Sequence, residues 1–182
     1  MKTEWNNEDY KREYLKLTKE LKQLKNIRAA EFRGIVLHQM TKIEFYTNQI
    51  ITAHFCKKEL QSEFLYVVLS GQSFGLKLKF DILSYIIKNH FGFVNVKFPA
   101  FLTTYDNLIT LRNICAHRFF DETTTIDEVY LLFYSPKAKA GNIFIDERVI
   151  NEKLLKAIGE NLSRVTSILK GINVVMGLDV EN

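Results

Sequence analysis

Residues 98–117, with the sequence FPAFLTTYDNLITLRNICAH, are the stretch on which the predicted fold rests. Pro99 stands where a helix is expected to begin, because proline is favoured in the first helical turn. Apolar and aromatic side chains then recur every three or four residues, as on the buried face of a helix: Phe101, Tyr105, Leu108, Leu111 and Cys115. The stretch predicts a helix that packs through this face and breaks down near residues 119–121.

The chain before this stretch also has the periodicity of helices. Gly71 predicts the end of one helix and Ser73 the cap of the next. Residues 90–97 are rich in phenylalanine and predict a loop with an extended backbone. The predicted helices cover about residues 7–26, 29–56, 59–70 and 73–89, and a last helix covers 151–175.

A different pattern separates the motif stretch from the last helix. Residues 129–134, VYLLFY, are β-branched and aromatic and predict a strand, and residues 142–145 predict the returning strand. A lone hairpin is only marginally stable, so this appendage must pack on the helices. The predicted fold class is mainly α, as a single domain over residues 1–182 with its core at about 30–120 and its hairpin and last helix at about 129–175.

The composition is that of a globular protein with long helices. The 182 residues are 47% apolar and 25% charged, close to the averages for soluble domains. Only two prolines and eight glycines occur, whereas a sandwich of short strands would need many turns. The net charge of +4 permits an anionic partner without the concentrated positive field of a dedicated duplex-DNA binder.

The sequence predicts a cytoplasmic location. Cys56 and Cys115 lie far apart and neither belongs to a CxxC pair, which indicates reduced thiols. The polar and acidic start of the chain does not resemble a signal peptide. No run approaches the ~20 apolar residues of a membrane span, so no membrane association is expected.

Three polar residues near the end of the motif stretch form the candidate site: Arg112, Asn113 and His117. Asn113 and His117 are four residues apart and therefore neighbours on one helix face, and the long Arg112 side chain can flank that face. Taken alone, these residues favour the simpler interpretation that Arg112 and His117 cap or pair near the helix end. The other histidines, His38, His54 and His90, have no partner at a useful spacing and are expected to be structural or solvated. No metal-ligand spacing occurs, so neither metal nor cofactor is expected.

The lysines of the first helix have two interpretations. Lys16 and Lys19 belong to a strip that repeats every three residues and could contact the phosphates of RNA. Exposed helices are commonly rich in lysine, so a solvated helix surface is the favoured interpretation of the strip.

Arg112, followed by four residues and then His117, with asparagine directly after the arginine, resembles the signature of the HEPN superfamily (higher eukaryotes and prokaryotes nucleotide-binding domains). The stretch from Ile43 to Ile51 resembles the long helix that precedes the motif helix in that family. Residues 74–78, FGLKL, resemble a further helix of several prokaryotic members. The resemblance covers roughly residues 30–120.

The resemblance implies an up-and-down helical bundle of HEPN type that works as a homodimer, with the motif helices of the two subunits facing each other. Many family members are metal-independent endoribonucleases of toxin–antitoxin, abortive-infection and antiviral systems. The resemblance therefore implies that RNA is the substrate and that an antitoxin or regulatory protein is a partner. Other members, among them proteins like the mannitol-operon repressor, have lost catalysis and bind RNA, nucleotide or protein in a regulatory role.

The residue types fit RNA cleavage. The ribose 2′-hydroxyl can act as the nucleophile, and an imidazole such as that of His117 exchanges protons near neutral pH. Arg112 can hold the charge that develops on the phosphorane, and Asn113 can orient the phosphate or the imidazole. The expected products are 2′,3′-cyclic phosphate and 5′-hydroxyl ends.

Three further residues bear on the predicted ribonuclease site and its control. Glu44 is a candidate supporting group on the preceding helix, and Arg118 is either a phosphate contact or a charge at the helix end. Some toxins of the family carry, two positions after the histidine, a tyrosine that a partner enzyme modifies. This chain has Phe119 there, which argues against control by that route.

Overall fold

The structure, a computed structural model, describes residues 7–71, 74–117, 120–122, 131–139, 142–150 and 152–178. The predicted mainly α-helical class is confirmed. The helices are α1 (Asn7–Phe55), α2 (Gln61–Glu63), α3 (Leu76–His90), α4 (Gly92–Lys97), α5 (Phe101–His117) and α6 (Glu152–Val175), and the strands are β1 (Phe120–Glu122), β2 (Leu131–Lys139) and β3 (Asn142–Ile150). No helix within the described ranges has the length and apolarity that crossing a bilayer requires.

The chain divides into two compact units. The first contains the residues up to Ile35 together with the 118–152 region, and the second contains Val36–His117 with the residues from Lys153 onward. The single domain over residues 1–182 stays a prediction.

One continuous helix, α1, replaces the first two predicted helices, so the predicted break near residues 27–28 is wrong. The sequence from Asn7 to Phe55 contains no proline, and Gly34 is its single glycine. One glycine costs a helix about 1 kcal/mol relative to alanine, which is too little to end it. Asn26 was the apparent boundary, but the residues after it are compatible with a helix and simply continue it.

The segment after α1 is helical but irregular. A 3₁₀ turn at Lys58–Leu60 leads into α2, and a π-helix follows at Phe64–Leu69. The backbone N–H of Ser70 donates to the Leu65 carbonyl at 3.1 Å, the five-residue step that defines a π-helix. The predicted cap at Ser73 lies outside the described residues.

Residues 92–97 form the short helix α4, so the loop predicted at 90–97 is wrong. The Val94 side chain is buried and holds this segment against the rest of its unit. The Phe98 N–H closes the turn by donating to the Val94 carbonyl at 2.7 Å. A run of phenylalanine and valine favours extended backbone by propensity alone, and tertiary packing overrides that preference here.

The buried faces predicted for the later helices are largely confirmed. In α5, Phe101, Tyr105, Leu108 and Cys115 are buried, and Leu111 is half-buried. In α6, the stripe of Ile158, Leu162, Val165 and Leu169 is buried, whereas Leu154 at the helix start is 43% exposed.

Three strands, not two, form an antiparallel sheet in the order β1-β2-β3. Leu131 pairs with Ile150 and Lys139 with Asn142, and β1 joins the other side of β2 through Phe120 opposite Phe133. Strand β1 was not predicted, because a three-residue stretch with two acidic residues has low strand propensity. Pairing with β2 supplies its hydrogen bonds instead.

Within the second unit, α1 contacts α3, α5 and α6. Glu44 and His54 of α1 contact Lys79 and His90 of α3, so the partners advance together and the two helices run parallel. Thr47 of α1 bonds Tyr105 of α5, and Gln49 of α1 bonds Asn173 of α6, both at 2.9 Å. The second half of α1 is therefore the central element of this unit.

Candidate functional site

The motif residues occupy the last two turns of α5, which ends at His117. Buried Leu108, Ile109 and Cys115 fix the rotation of this helix about its axis. That rotation leaves Asn113 and His117 exposed and Arg112 half-buried. The predicted site therefore has two exposed residues and one that is partly exposed.

Arg112 and Asn113 are joined by a hydrogen bond. The Arg112 Nη1 donates to the Asn113 Oδ1 at 3.2 Å. A guanidinium has no acceptor, so the amide oxygen of Asn113 must face it and the amide NH₂ points away. Arg112 keeps four of its five N–H groups for another acceptor, and no described carboxylate forms an ion pair with it. The pair thus presents N–H donors, with no competing anion among the residues that the structure describes.

His117 stands four residues after Asn113, one turn along the same face. No described side chain forms a hydrogen bond with its ring, so the imidazole is not fixed by a partner within the described residues. The motif consequently offers an arginine, an amide and an accessible imidazole on a single helix end. These groups can hold an oxyanion and exchange a proton.

Glu44 is occupied elsewhere. Its Oε1 accepts a hydrogen bond from the Nζ of Lys79 at 2.5 Å, and the Lys79 side chain is only 3% exposed. No described hydrogen bond or ion pair links Glu44 to the motif residues. The structure assigns it the role of neutralising a buried ammonium group, which differs from the predicted support of the motif.

A buried polar contact lies beside this ion pair. The Thr47 hydroxyl donates to the Ile43 carbonyl, so the Tyr105 hydroxyl must be the donor in the 2.9 Å bond between Tyr105 and Thr47. Burial raises the pKa of the Tyr105 phenol far above its ordinary value; the Thr47 bond opposes this and the charge of Glu44 adds to it. Tyr105 therefore stays protonated and serves packing, not proton transfer.

The residues predicted to contact RNA are not brought to the motif by any described contact. Lys16 and Lys19 are exposed on the part of α1 that belongs to the first unit. Arg118 and Phe119 lie outside the described residues. Their assignments stay predictions.

Two histidines that the sequence separated are in contact. The rings of His54 on α1 and His90 on α3 lie 4.5 Å apart, centroid to centroid. Burial, and then the charge of His90, lower the pKa of His54. These histidines are 36 positions apart in the chain, so no sequence spacing predicted their contact. It follows from the parallel packing of α1 and α3.

Within the described ranges, no group of three or more His, Cys, Asp or Glu side chains is arranged to hold a metal ion. Comparison of the chain with protein-family models, curated proteins and solved structures finds no match. The motif residues and their surroundings are therefore the features that bear on function.

Proposed function

We propose that the chain is a metal-independent endoribonuclease of HEPN type, with its site at Arg112, Asn113 and His117. The observation that supports the proposal is the exposure of Asn113 and His117 beside a half-buried Arg112, which is bound to an amide and to no described carboxylate. An arginine and histidine that only stabilised a helix end would be expected to pair with acidic side chains or with helix carbonyls.

The proposed reaction uses the substrate's own nucleophile. The ribose 2′-oxygen attacks the adjacent phosphorus while its proton passes to an imidazole. The bond from phosphorus to the 5′-oxygen breaks, and that oxygen takes a proton from an acid. The products are a 2′,3′-cyclic phosphate and a 5′-hydroxyl end. Arg112 and the Asn113 amide donate hydrogen bonds to the phosphate oxygens as their negative charge grows.

The reaction needs a base and an acid, whereas one chain supplies one His117. A symmetric homodimer with the motif helices facing each other brings two copies of the motif to one phosphate. The dimer is therefore part of the proposal. In this setting the protein acts in the cytoplasm as a toxin or antiphage effector, and an antitoxin or other regulatory protein restrains it.

Cleavage of RNA by the purified protein in the presence of a chelator tests the proposal. We expect His117→Ala to lower the rate at least ~100-fold, because general acid–base catalysis contributes ~10²–10⁴-fold. Arg112→Ala should lower it at least as far as the loss of one oxyanion donor does, about 10²-fold.

The matched control is Lys156→Gln, an exposed lysine of α6 remote from the motif in sequence, which should cleave like the parent. Thermal melting and light scattering must show equal folding and mass for all variants. Cleavage that survives His117→Ala would contradict the assignment. A folded parent that binds RNA but never cuts it would instead favour a non-catalytic regulatory module.

A further inference from the structure

A groove between α1 and α6 lies outside the motif. Its volume is about 530 Å³, within the range of ligand-binding clefts. All of its lining residues belong to the second unit, among them His38, Lys42, Phe45, Tyr46 and Lys170.

The charge of this groove has one sign. Lys42 lies on α1, one turn after His38, and Lys170 reaches in from α6. None of the described lining residues is acidic, and neither lysine forms an ion pair with a described carboxylate. Among the described residues, therefore, no acidic side chain competes for these two ammonium groups, which remain available to an anion.

Aromatic rings stand beside these charges. The Phe45 side chain is 48% exposed although it lies on the central helix of its unit. Tyr46 is buried, and its ring contacts that of Phe45 edge-on, with centroids 5.5 Å apart. The Nζ of Lys170 lies 5.5 Å from the Tyr46 centroid, a cation–π contact that holds the lysine at the groove. An exposed ring braced by a second ring provides a stacking surface at low entropic cost.

We propose that this groove binds a nucleotide unit of single-stranded RNA, with the base stacked on Phe45 and the phosphate held by Lys42 and Lys170. Proteins that hold single strands combine these two features, a positive groove and aromatic side chains. A duplex does not fit, because its base faces are already stacked on one another. The inference rests on the proposed function in that it names a second contact to the same substrate, away from the phosphate that is cut.

Binding can be measured separately from cleavage. In the His117→Ala background, fluorescence anisotropy would follow a labelled oligouridylate and an abasic ribose-phosphate strand of equal length. We expect Phe45→Ala to weaken the oligouridylate about tenfold or more and to leave the abasic strand unchanged, because stacking needs a base. Lys42→Gln and Lys170→Gln should each weaken both strands and each lower the slope of log affinity against log salt by about 0.7.

The matched controls are Tyr85→Ala, an exposed ring on α3, and Lys156→Gln on α6. Both should bind like the parent. Groove variants that bind both strands with parental affinity and salt slope would overturn the inference. So would a mononucleotide or an oligoglutamate peptide that competes as strongly as the oligouridylate, since the occupant would then be a free nucleotide or an acidic protein.

The two proposals fail in different ways. If the parent does not cleave RNA but Phe45→Ala still loses base-dependent binding, the groove stands and the catalytic assignment falls. If cleavage depends on His117 while the groove variants bind normally, the catalytic assignment stands and the groove falls.

Discussion

At the scale of single residues, Lys79 of the second unit requires a negatively charged partner. Its ammonium group is buried, and Glu44 is its anionic partner. Glu44→Ala should therefore destabilise the fold by about 3 kcal/mol, because breaking a buried pair leaves an uncompensated charge. Chemical denaturation of the parent and the variant measures this difference.

The reciprocal substitution separates the charge from the packing. Lys79→Met removes the buried charge and keeps much of the volume, and the Glu44 carboxylate left behind is 31% exposed and can be hydrated. We therefore expect a change of less than about 1.5 kcal/mol. The double variant Glu44→Ala with Lys79→Met should recover most of the stability that Glu44→Ala loses. Additive losses in the double variant would contradict the ion pair, and an unchanged cleavage rate in it would remove Glu44 from the catalytic site.

At the scale of helices, the contact between His54 on α1 and His90 on α3 predicts a response to acid. Burial and the neighbouring charge lower the pKa of His54 in the folded chain, so near pH 6 the unfolded chain binds more protons. The stability that depends on neutral His54 is present above the unfolded pKa near 6.5 and is lost as the pH falls through the folded value. The melting temperature should therefore drop between about pH 7.5 and pH 5.

The two histidines can be tested one at a time. His54→Gln should reduce this pH dependence most, and His90→Gln should reduce it in part, since His90 supplies the second cause of the shift. His38→Gln, at an exposed histidine of the same α1 helix, is the control and should leave the slope unchanged. Equal slopes in all four proteins would show that the ring contact has no thermodynamic weight.

The helices also show which structural features could be predicted from the sequence. Apolar spacing identified the buried faces of α5 and α6, because burial of one stripe requires no knowledge of the partner helix. It could not identify the start and end of the helices around Asn26 or the helix around Val94, since these depend on tertiary packing. Lys79 was also hidden: it lies on the apolar stripe between Leu76 and Leu83, and a lysine there looks like an ordinary surface residue.

At the scale of the whole molecule, the motif could be predicted from the sequence, whereas the groove could not. Arg112, Asn113 and His117 are adjacent in the chain, so one helix is enough to present them together and the sequence could reveal them. The groove needs Phe45 on α1 and Lys170 on α6, which lie 125 positions apart, and no sequence pattern joins them. Contacts between distant segments were therefore the part that only the structure could supply.

The proposed dimer has a kinetic consequence. If both motif copies act on one phosphate, a mixed dimer of a parent subunit and a His117→Ala subunit lacks one imidazole. Initial rates in exchanged mixtures at constant total protein should then fall with the square of the parent fraction. A linear fall would mean that each subunit cuts RNA alone, and mixtures with Lys156→Gln should show no fall at all.

The burial of the Lys79 ammonium group also determines when this residue can be acylated, namely before the chain folds and not afterwards. Enzymes that acylate lysine need the amine to reach their active sites, and in the folded unit Glu44 and the surrounding helices enclose it. Exposed lysines such as Lys88 remain open to acylation throughout, whereas Lys79 is open only while the chain is being made or is transiently unfolded. An acyl group added in that interval would remove the charge that pairs with Glu44 and enlarge a buried side chain. A chain modified at Lys79 should therefore fold less stably, and the folded protein should be depleted in this modification.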